Sequence, residues 1–298
     1  MKYSKWLSKN TQSLVGKTVA ISGSTGGLGK HLCRYLAALG ADLVLLDRNR
    51  ARSEANRLTV EQEFPGVRVS LITVDFVDSF SVAEATERLK QIAPDMLVLN
   101  AGAYSIPRCT SNSGYDNVFT INFVSPYYMI RELLPIMRKK QGRVVVVGSI
   151  AHNYSRINES DIDFSEVKPA SKVYGNAKRF LMFSLYELFR DEHGAALSVT
   201  HPGITFTNIT AHYPKLIFAL IKHPMKVIFM RPERAALSIV KGFFASTEYH
   251  TWYGPRLFDV WGLPSKKRLY TCRADESARI GEISEQVYTD VKNKIVSE

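Results

Sequence analysis

The chain has 298 residues, 45% of them hydrophobic and 22% charged, and its 39 basic against 28 acidic residues give a net charge of +11. That composition excludes a disordered chain or a collagen-like fibre, and the longest clean apolar run, Leu216 to Ile221, is far short of the ~20 residues that cross a bilayer. The basic excess attracts phosphates or anionic surfaces, but it is spread along the chain without zinc-finger spacing or an aromatic RNA-binding signature, so no nucleic-acid partner is expected.

In chain order, Met1 to Asn10 carries lysines with no apolar core behind them, so it does not read as a signal peptide. Short runs rich in Val, Ile and Leu then recur at Thr18 to Ser22, Asp42 to Leu46, Arg68 to Val74, Met96 to Asn100, Arg143 to Ser149 and Ala196 to His201. Strands buried on both faces of a parallel sheet have this continuous apolar character. Helix-periodic stretches separate them: Leu28 to Leu39, Ala51 to Phe64, Ser81 to Ile92, Tyr115 to Lys140 and Ser171 to His193. The alternation predicts an α/β fold, a single doubly wound parallel sheet of Rossmann type with helices on both faces. No Pro/Gly/Ser-rich linker divides residues 1–298, so one domain is expected, with a core over about 16–262, a substrate lid over 203–230 and a C-terminal tail over 263–298. Cys33, Cys109 and Cys272 form no CxxC pair, which argues against a disulfide framework or a zinc site and for a reduced, cytoplasmic setting.

The first strand runs into Gly23-Ser24-Thr25-Gly26-Gly27-Leu28-Gly29 and then a helix. Gly23, Gly27 and Gly29 leave room for a pyrophosphate against the free N–H groups of the helix N-terminus. Asp47 ends the next strand, where an acid can accept hydrogen bonds from ribose hydroxyls. These features predict dinucleotide binding. Asp47 repels a 2′-phosphate, whereas Arg48 and Arg50 can neutralise one; NAD is slightly favoured and NADP remains open.

Tyr174 and Lys178 stand four apart on one helical face. A free tyrosine has a pKa near 10 and needs help to exchange protons at neutral pH, which a lysine ammonium one turn away supplies. YxxxK alone is a weak signal. Here it accompanies Ser149 at the end of the fifth strand, Asn100-Ala101-Gly102 after the fourth, Asn122 in the helix between them, and Pro202-Gly203 after the sixth. Together with the glycine motif, these resemble the short-chain dehydrogenase/reductase family, in its retinol dehydrogenase-like branch, over roughly residues 16 to 262. The finer likeness lies in Gly148-Ser-Ile-Ala-His152, Ile162-Asp-Phe164 and His201-Pro202-Gly203. The helix with Asn122 departs from that branch in continuing Phe123-Val124-Ser125, and the second strand departs in ending Asp47-Arg48.

The resemblance implies an NAD(P)-dependent oxidoreductase interconverting an alcohol and its carbonyl, with reduction of an enone double bond or non-catalytic redox sensing as alternatives. It implies that Tyr174 is the acid/base and that Ser149 orients the substrate oxygen. Lys178 lowers the Tyr174 pKa and binds nicotinamide ribose, and Asn122 holds a relay water, unless it simply bonds nearby backbone. It also implies cofactor contacts from Ser24, Thr25 and Leu28 of the glycine loop, from Asp75 and Phe76 after the third strand, from Asn100, Ala101 and Gly102, and from Pro202, Gly203, Thr205 and Thr207.

The stretch 213–230 alternates apolar residues with Lys215, Lys222 and Lys226. It reads as an apolar substrate lid with possible anionic-membrane contact, or as a helix pair capping the core. The Tyr174 helix is apolar almost all round, which suggests burial on both sides. A homodimer or homotetramer interface is one expectation and packing under the C-terminal segment the other. His152 and Tyr154 are candidates for substrate contact. The apolar residues expected around the site predict a hydrophobic small-molecule substrate.

Overall fold

The computed structural model describes residues 3–205 and 229–297. After a short helix α1 (Ser4–Asn10), the chain alternates β1 (Thr18–Ser22), α2 (Gly27–Ala38), β2 (Asp42–Asp47), α3 (Arg50–Glu63), β3 (Val69–Thr73), α4 (Ser79–Ile92) and β4 (Met96–Leu99). Next come α5 (Asn117–Phe119), a π-helical turn (Thr120–Val124), α6 (Ser125–Lys140), β5 (Arg143–Val147), a 3₁₀ turn (Ile150–Tyr154), α7 (Ala170–Leu188) and β6 (Ala196–Thr200). Beyond residue 228 lie α8 (Pro232–Phe244), β7 (Thr251–Leu257), β8 (Trp261–Arg268) and α9 (Ala274–Ser297).

The strands form one sheet in the order β3-β2-β1-β4-β5-β6-β7-β8. All neighbours are parallel except β7 and β8, which form an antiparallel hairpin at the edge. Helices cover both faces. Leu32 and Leu36 of α2, Val60 of α3 and Leu237, Ile239 and Val240 of α8 pack on one. Val82 and Leu89 of α4, Ile130 and Leu133 of α6 and Phe180 and Leu181 of α7 pack on the other. The strand order reverses between β1 and β4, and a crevice opens there at the carboxyl ends of the strands, the usual ligand position in such sheets.

The six expected strands and the five long helices are present, with ends moved by a few residues. Residues 263–298 are not a polar tail, however. Most of β8 and the 24-residue α9 lie there, and Ile280, Val287 and Val291 of α9 are buried in the core that holds Phe180 and Phe183. The outer face of α7 is therefore packed by α9 within the same chain, the packing under the C-terminal segment that was one of the two expectations. The low overall apolarity of this amphipathic helix concealed it, because only one stripe meets α7. Among the described residues no helix is long and apolar enough to cross a membrane. The expected lid and membrane contact at 213–230 fall almost wholly outside the described residues, as does Thr207.

Candidate active site

A cleft of about 380 Å³ opens at the switch point, lined by Gly23, Thr25, Gly27, Leu28, Gly29, Asp47, Arg48, Asp75, Phe76, Asn100, Ala101 and Gly102. Twelve of the residues singled out from sequence thus share one wall. α2 begins inside the glycine motif and directs its unpaired N–H groups into the cleft. Asn100 holds the motif from behind, donating through Nδ2 to the carbonyls of Ser22 and Gly23 at 3.1 Å each.

Several details differ from the expectation. Pro202, Gly203 and Thr205, after β6, are not among the residues that line this cleft. Ser24 does not line the cleft; it is buried and its hydroxyl donates to Asp47 at 2.5 Å. Asp47 also accepts from the Ser53 hydroxyl at 2.8 Å and from the Thr25 N–H and hydroxyl at 3.3 Å each. Its carboxylate ties β2, α3 and the glycine loop together. The second arginine at this end is Arg52 rather than Arg50: Arg48, Asn49 and Arg52 line the cleft, and Arg48 stands 3.9 Å from Asp75. Ser53 and Arg52 went unnoticed in the sequence because nothing in α3 except its phase brings them round to Asp47.

Tyr174, Lys178 and Ser149 converge at the mouth of β5. Ser149 caps the 3₁₀ turn, its oxygen accepting from the Ala151 N–H at 3.2 Å, which leaves its own proton available to an acceptor. The next helix approaches this turn closely because Gly175 follows Tyr174: a Cβ at Gly175 would lie 2.3 Å from the Ala151 carbonyl oxygen. Burial pushes the Tyr174 phenol up to about 12, against the lowering effect of its hydrogen bond with Ser149. Tyr174 is accordingly a protonated acid in the chain by itself. Lys178 is buried, which pulls its ammonium down to about 8. It donates to the Val147 carbonyl at 2.9 Å and sits 5.7 Å from the centre of the Tyr174 ring.

Asn122 lies in the π turn, a local widening that often marks functional positions. Its amide nitrogen donates to the carbonyls of Ala103 and Val118 at 2.8 Å each, while its buried oxygen has no protein partner. Asn122 thus bonds nearby backbone, and its oxygen is in addition an orphan acceptor. A Cβ on Gly102 would lie 2.8 Å from that oxygen and 3.7 Å from Lys178 Nζ, so the two polar groups face one small space that glycine keeps open. A buried acceptor beside an ammonium suits a bridging water.

His152 is a buried structural residue rather than a substrate contact. Its Nδ1 pairs with the Ser149 carbonyl at 2.6 Å and its Nε2 with the Thr271 hydroxyl at 2.9 Å. Next to it, fully buried Arg179 donates to the carbonyls of His152 and Thr271 at 3.1 Å each and to the Glu276 carboxylate, 2.6 Å away at Nε. The segment after β8 thus braces the Ser149 turn from outside. Tyr154 is exposed.

Burial pushes His152 down to about 4 and His201, which stacks on Trp252 at 4.8 Å, down to about 3. Both rings stay neutral in the fold at pH values where an unfolded histidine, of pKa near 6.5, takes up a proton. The unfolded state then binds more protons, so stability is lost as pH falls below about 6.5, by about 1.4 kcal/mol per pH unit for each ring. Urea unfolding at intervals from pH 7.5 to 5 should show this decline, reduced in His152→Gln. A flat profile over that range would refute it.

Fold and cleft together define a Rossmann-type protein with a dinucleotide-shaped crevice. The sequence profile of the short chain dehydrogenase family matches residues 17–215, and the chain belongs to that family. Retinol dehydrogenase 14 of Mus musculus is 30% identical over 212 residues, covering 66% of this chain and 64% of its own length. The WW domain-containing oxidoreductase of Homo sapiens is 27% identical over 212 residues, covering 66% of this chain and 51% of its own. The chain spans about half the length of such WW domain-containing relatives. Among solved structures, a protein from Mycobacterium paratuberculosis superposes with a TM-score of 0.73 at 23% identity, over 93% of this chain and 95% of that one. An alcohol dehydrogenase from the archaeon Thermococcus sibiricus, complexed with 5-hydroxy-NADP, gives 0.60 at 21% identity, over 78% and 94%.

Proposed function

We propose that this chain is a nicotinamide-dinucleotide-dependent oxidoreductase that interconverts an alcohol and its carbonyl on an apolar small molecule. The observation that carries the reading is the convergence of protonated Tyr174, Ser149 and buried Lys178 beside the glycine-lined cleft. The free N–H groups of α2 suit the pyrophosphate, and Lys178 suits the ribose at the nicotinamide end. When bound, the reduced cofactor supplies hydride to the carbonyl carbon. In that direction Ser149 donates a hydrogen bond to the carbonyl oxygen and holds it, and Tyr174 transfers its proton to the same oxygen. Lys178, with a water on the orphan Asn122 oxygen, returns a proton to Tyr174. The oxidation runs the same path backwards, with Lys178 favouring the phenolate.

An apolar substrate is supported by what surrounds the tyrosine. Ile106, Phe164, Val167 and Val173 form one cluster with it, and Tyr104 meets its ring edge-on at 5.4 Å. Such walls favour buried hydrocarbon at about 25 cal/mol per Å². Screening steroid-like, isoprenoid and long-chain alcohols and ketones against sugars and short hydroxy acids, by absorbance of the reduced nicotinamide, tests the reading. Sugars as the best substrates would overturn it.

The internal bonds of Asp47 bear on the choice of cofactor. Sequence alone ranks NAD slightly ahead because that acid is free to grip the ribose. With Ser24, Thr25 and Ser53 already donating to it, Arg48 and Arg52 gain weight, and NADP moves forward. Asp47→Ser is then expected to weaken both dinucleotides, because the glycine loop loses its tie. Arg48→Ala is expected to weaken NADP alone, by roughly tenfold for one lost charge-assisted bond of about 1.5 kcal/mol. Titration of each variant with both cofactors checks this; a gain in NADP affinity for Asp47→Ser would show that its charge, not its tie, dominates.

A further inference from the structure

Tyr174 is flanked by two residues whose backbone strain closes no helix and no hairpin. Among the described residues, positive φ outside glycine occurs at Ala93 and Gln141, which end α4 and α6. It occurs again just before β7 and in the β7–β8 turn. The remaining two are Ser105, at +52°, and Phe164, at +55°. A phenylalanine stays in the left-handed region only where its surroundings hold it there, and such strain gathers at functional sites. Ser105 stands between Tyr104, which meets the Tyr174 ring edge-on, and Ile106. Phe164 is 6% exposed, and the cluster it forms with Val118 and Val173 is packed by Ile106 and Tyr174. Both strained positions therefore serve contacts around one phenol.

Arg108 supplies the hold. Its Nη2 donates to the Phe164 carbonyl at 2.7 Å and its Nη1 to the Val167 carbonyl at 3.0 Å, while its Nε pairs with the Asp116 carboxylate. Asp116 is fixed in turn. It caps α5 by accepting from the Val118 N–H at 2.9 Å, and its own N–H donates to the Asp163 carboxylate at 2.7 Å. Asn176 of α7, fully buried, donates to the Ile162 carbonyl at 2.8 Å. One guanidinium thus ties the 161–167 segment to the loop after β4 and to the start of α5. Three partners at once suit the planar fork of arginine, which a lysine ammonium does not reproduce.

The tie bears on Tyr174 because α7 has no cap of its own. The helix begins at Ala170 after Pro169, and no side chain bonds its first turn, so its entry depends on what precedes it. Val167, held by Arg108, lies two residues before that proline. From the 3₁₀ turn, the Ser155 hydroxyl donates to the Lys172 carbonyl at 2.5 Å. Tyr174 follows directly, between these two supports. We propose that Arg108 is a positioning residue for Tyr174: by holding the Phe164 and Val167 carbonyls it seats the Phe164 cluster against the tyrosine and sets the place of the phenol beside Ser149. Neither Arg108 nor Phe164 lines the dinucleotide cleft, so the effect falls on the chemical step and not on cofactor binding. The kinetic part rests on the reading of Tyr174 as acid/base; the hold on the start of α7 does not.

Two measurements on the full chain separate those parts. Arg108→Lys keeps a cation for Asp116 but gives up the fork. In hydrogen exchange read by mass spectrometry it is expected to speed exchange over residues 161–175 roughly tenfold, the worth of one charge-assisted bond, and to leave the glycine loop as it was. With the fastest ketone of the screen above, its kcat is expected to fall roughly 10- to 100-fold, the cost of a small misplacement, at unchanged dinucleotide affinity. Phe164→Leu leaves every Arg108 bond in place, because these reach only the backbone there, and so keeps the fold even where Arg108→Lys does not. Its kcat should fall as well, and the double variant should lose no more than Arg108→Lys alone, since both act through one contact. Unchanged exchange over 161–175, a wild-type kcat in either single variant, or losses that multiply in the double variant overturns the proposal. A lower Tm with kcat intact would likewise reduce Arg108 to a support of the fold. If Tyr174→Phe keeps its kcat while Arg108→Lys still speeds exchange, the acid/base reading fails and the hold on α7 stands.

Discussion

Tyr174→Phe is expected to lower kcat by about 10²- to 10⁴-fold, the range that positioned proton transfer supplies, with dinucleotide affinity nearly unchanged. The phenyl ring keeps its place in the cluster with Ile106, Phe164 and Val173, so the fold has little reason to move. What disappears is a hydroxyl that hydrogen-bonds with Ser149 and belongs to a ring 5.7 Å from Lys178 Nζ. Stopped-flow turnover and fluorescence titration of the cofactor separate the two effects. Retention of more than about a tenth of kcat would show that another group carries the proton. The companion change Lys178→Ala should impair both quantities, and it leaves the Val147 carbonyl without its donor. Their contrast therefore distinguishes a proton donor from a residue with two duties.

The contrast also shows which parts of this site were legible in sequence. Gly23, Gly27 and Gly29, Tyr174 and Lys178 act through local spacing along one loop or one helix face, and local spacing survives in the linear chain. The six buried parallel strands were legible for a similar reason, since burial on both faces leaves an uninterrupted apolar run. The β7–β8 hairpin left no such run: β8 is an edge strand reading Trp-Gly-Leu-Pro-Ser-Lys-Lys-Arg, half exposed, with a proline and no alternation. His152 and Arg179 were not legible at all. Their partners Thr271 and Glu276 lie more than ninety positions away in a segment whose composition is that of a solvated tail. The state of Asp47 was likewise decided by α3, which turns Ser53 toward it. Pairings between distant segments depend on packing, and no periodicity records them.

The pairing that ties the C-terminal segment to the Ser149 turn should be measurable. Glu276→Ala is expected to destabilise the fold by about 3 kcal/mol, the lower end of what removing one partner of a buried ion pair costs. Arg179 is fully buried, and after the change its guanidinium keeps only the carbonyls of His152 and Thr271. Nearby Arg156, 3.5 Å from the same carboxylate, then adds repulsion in place of attraction. Because Arg179 follows Lys178 in α7 and holds the His152 carbonyl, and His152 in turn holds that of Ser149, kcat should fall in the same variant more than KM rises. Replacing both partners, Arg179→Met with Glu276→Leu, removes the stranded charge and should recover much of the stability, since apolar substitutes for a buried pair are often neutral. It also removes the bond to the His152 carbonyl, however, so kcat should stay low. Urea unfolding of the single and double variants gives the first quantity and steady-state kinetics the second. A double variant that regains full kcat would mean that α9 supports the fold alone and that the Ser149 turn holds its geometry without it.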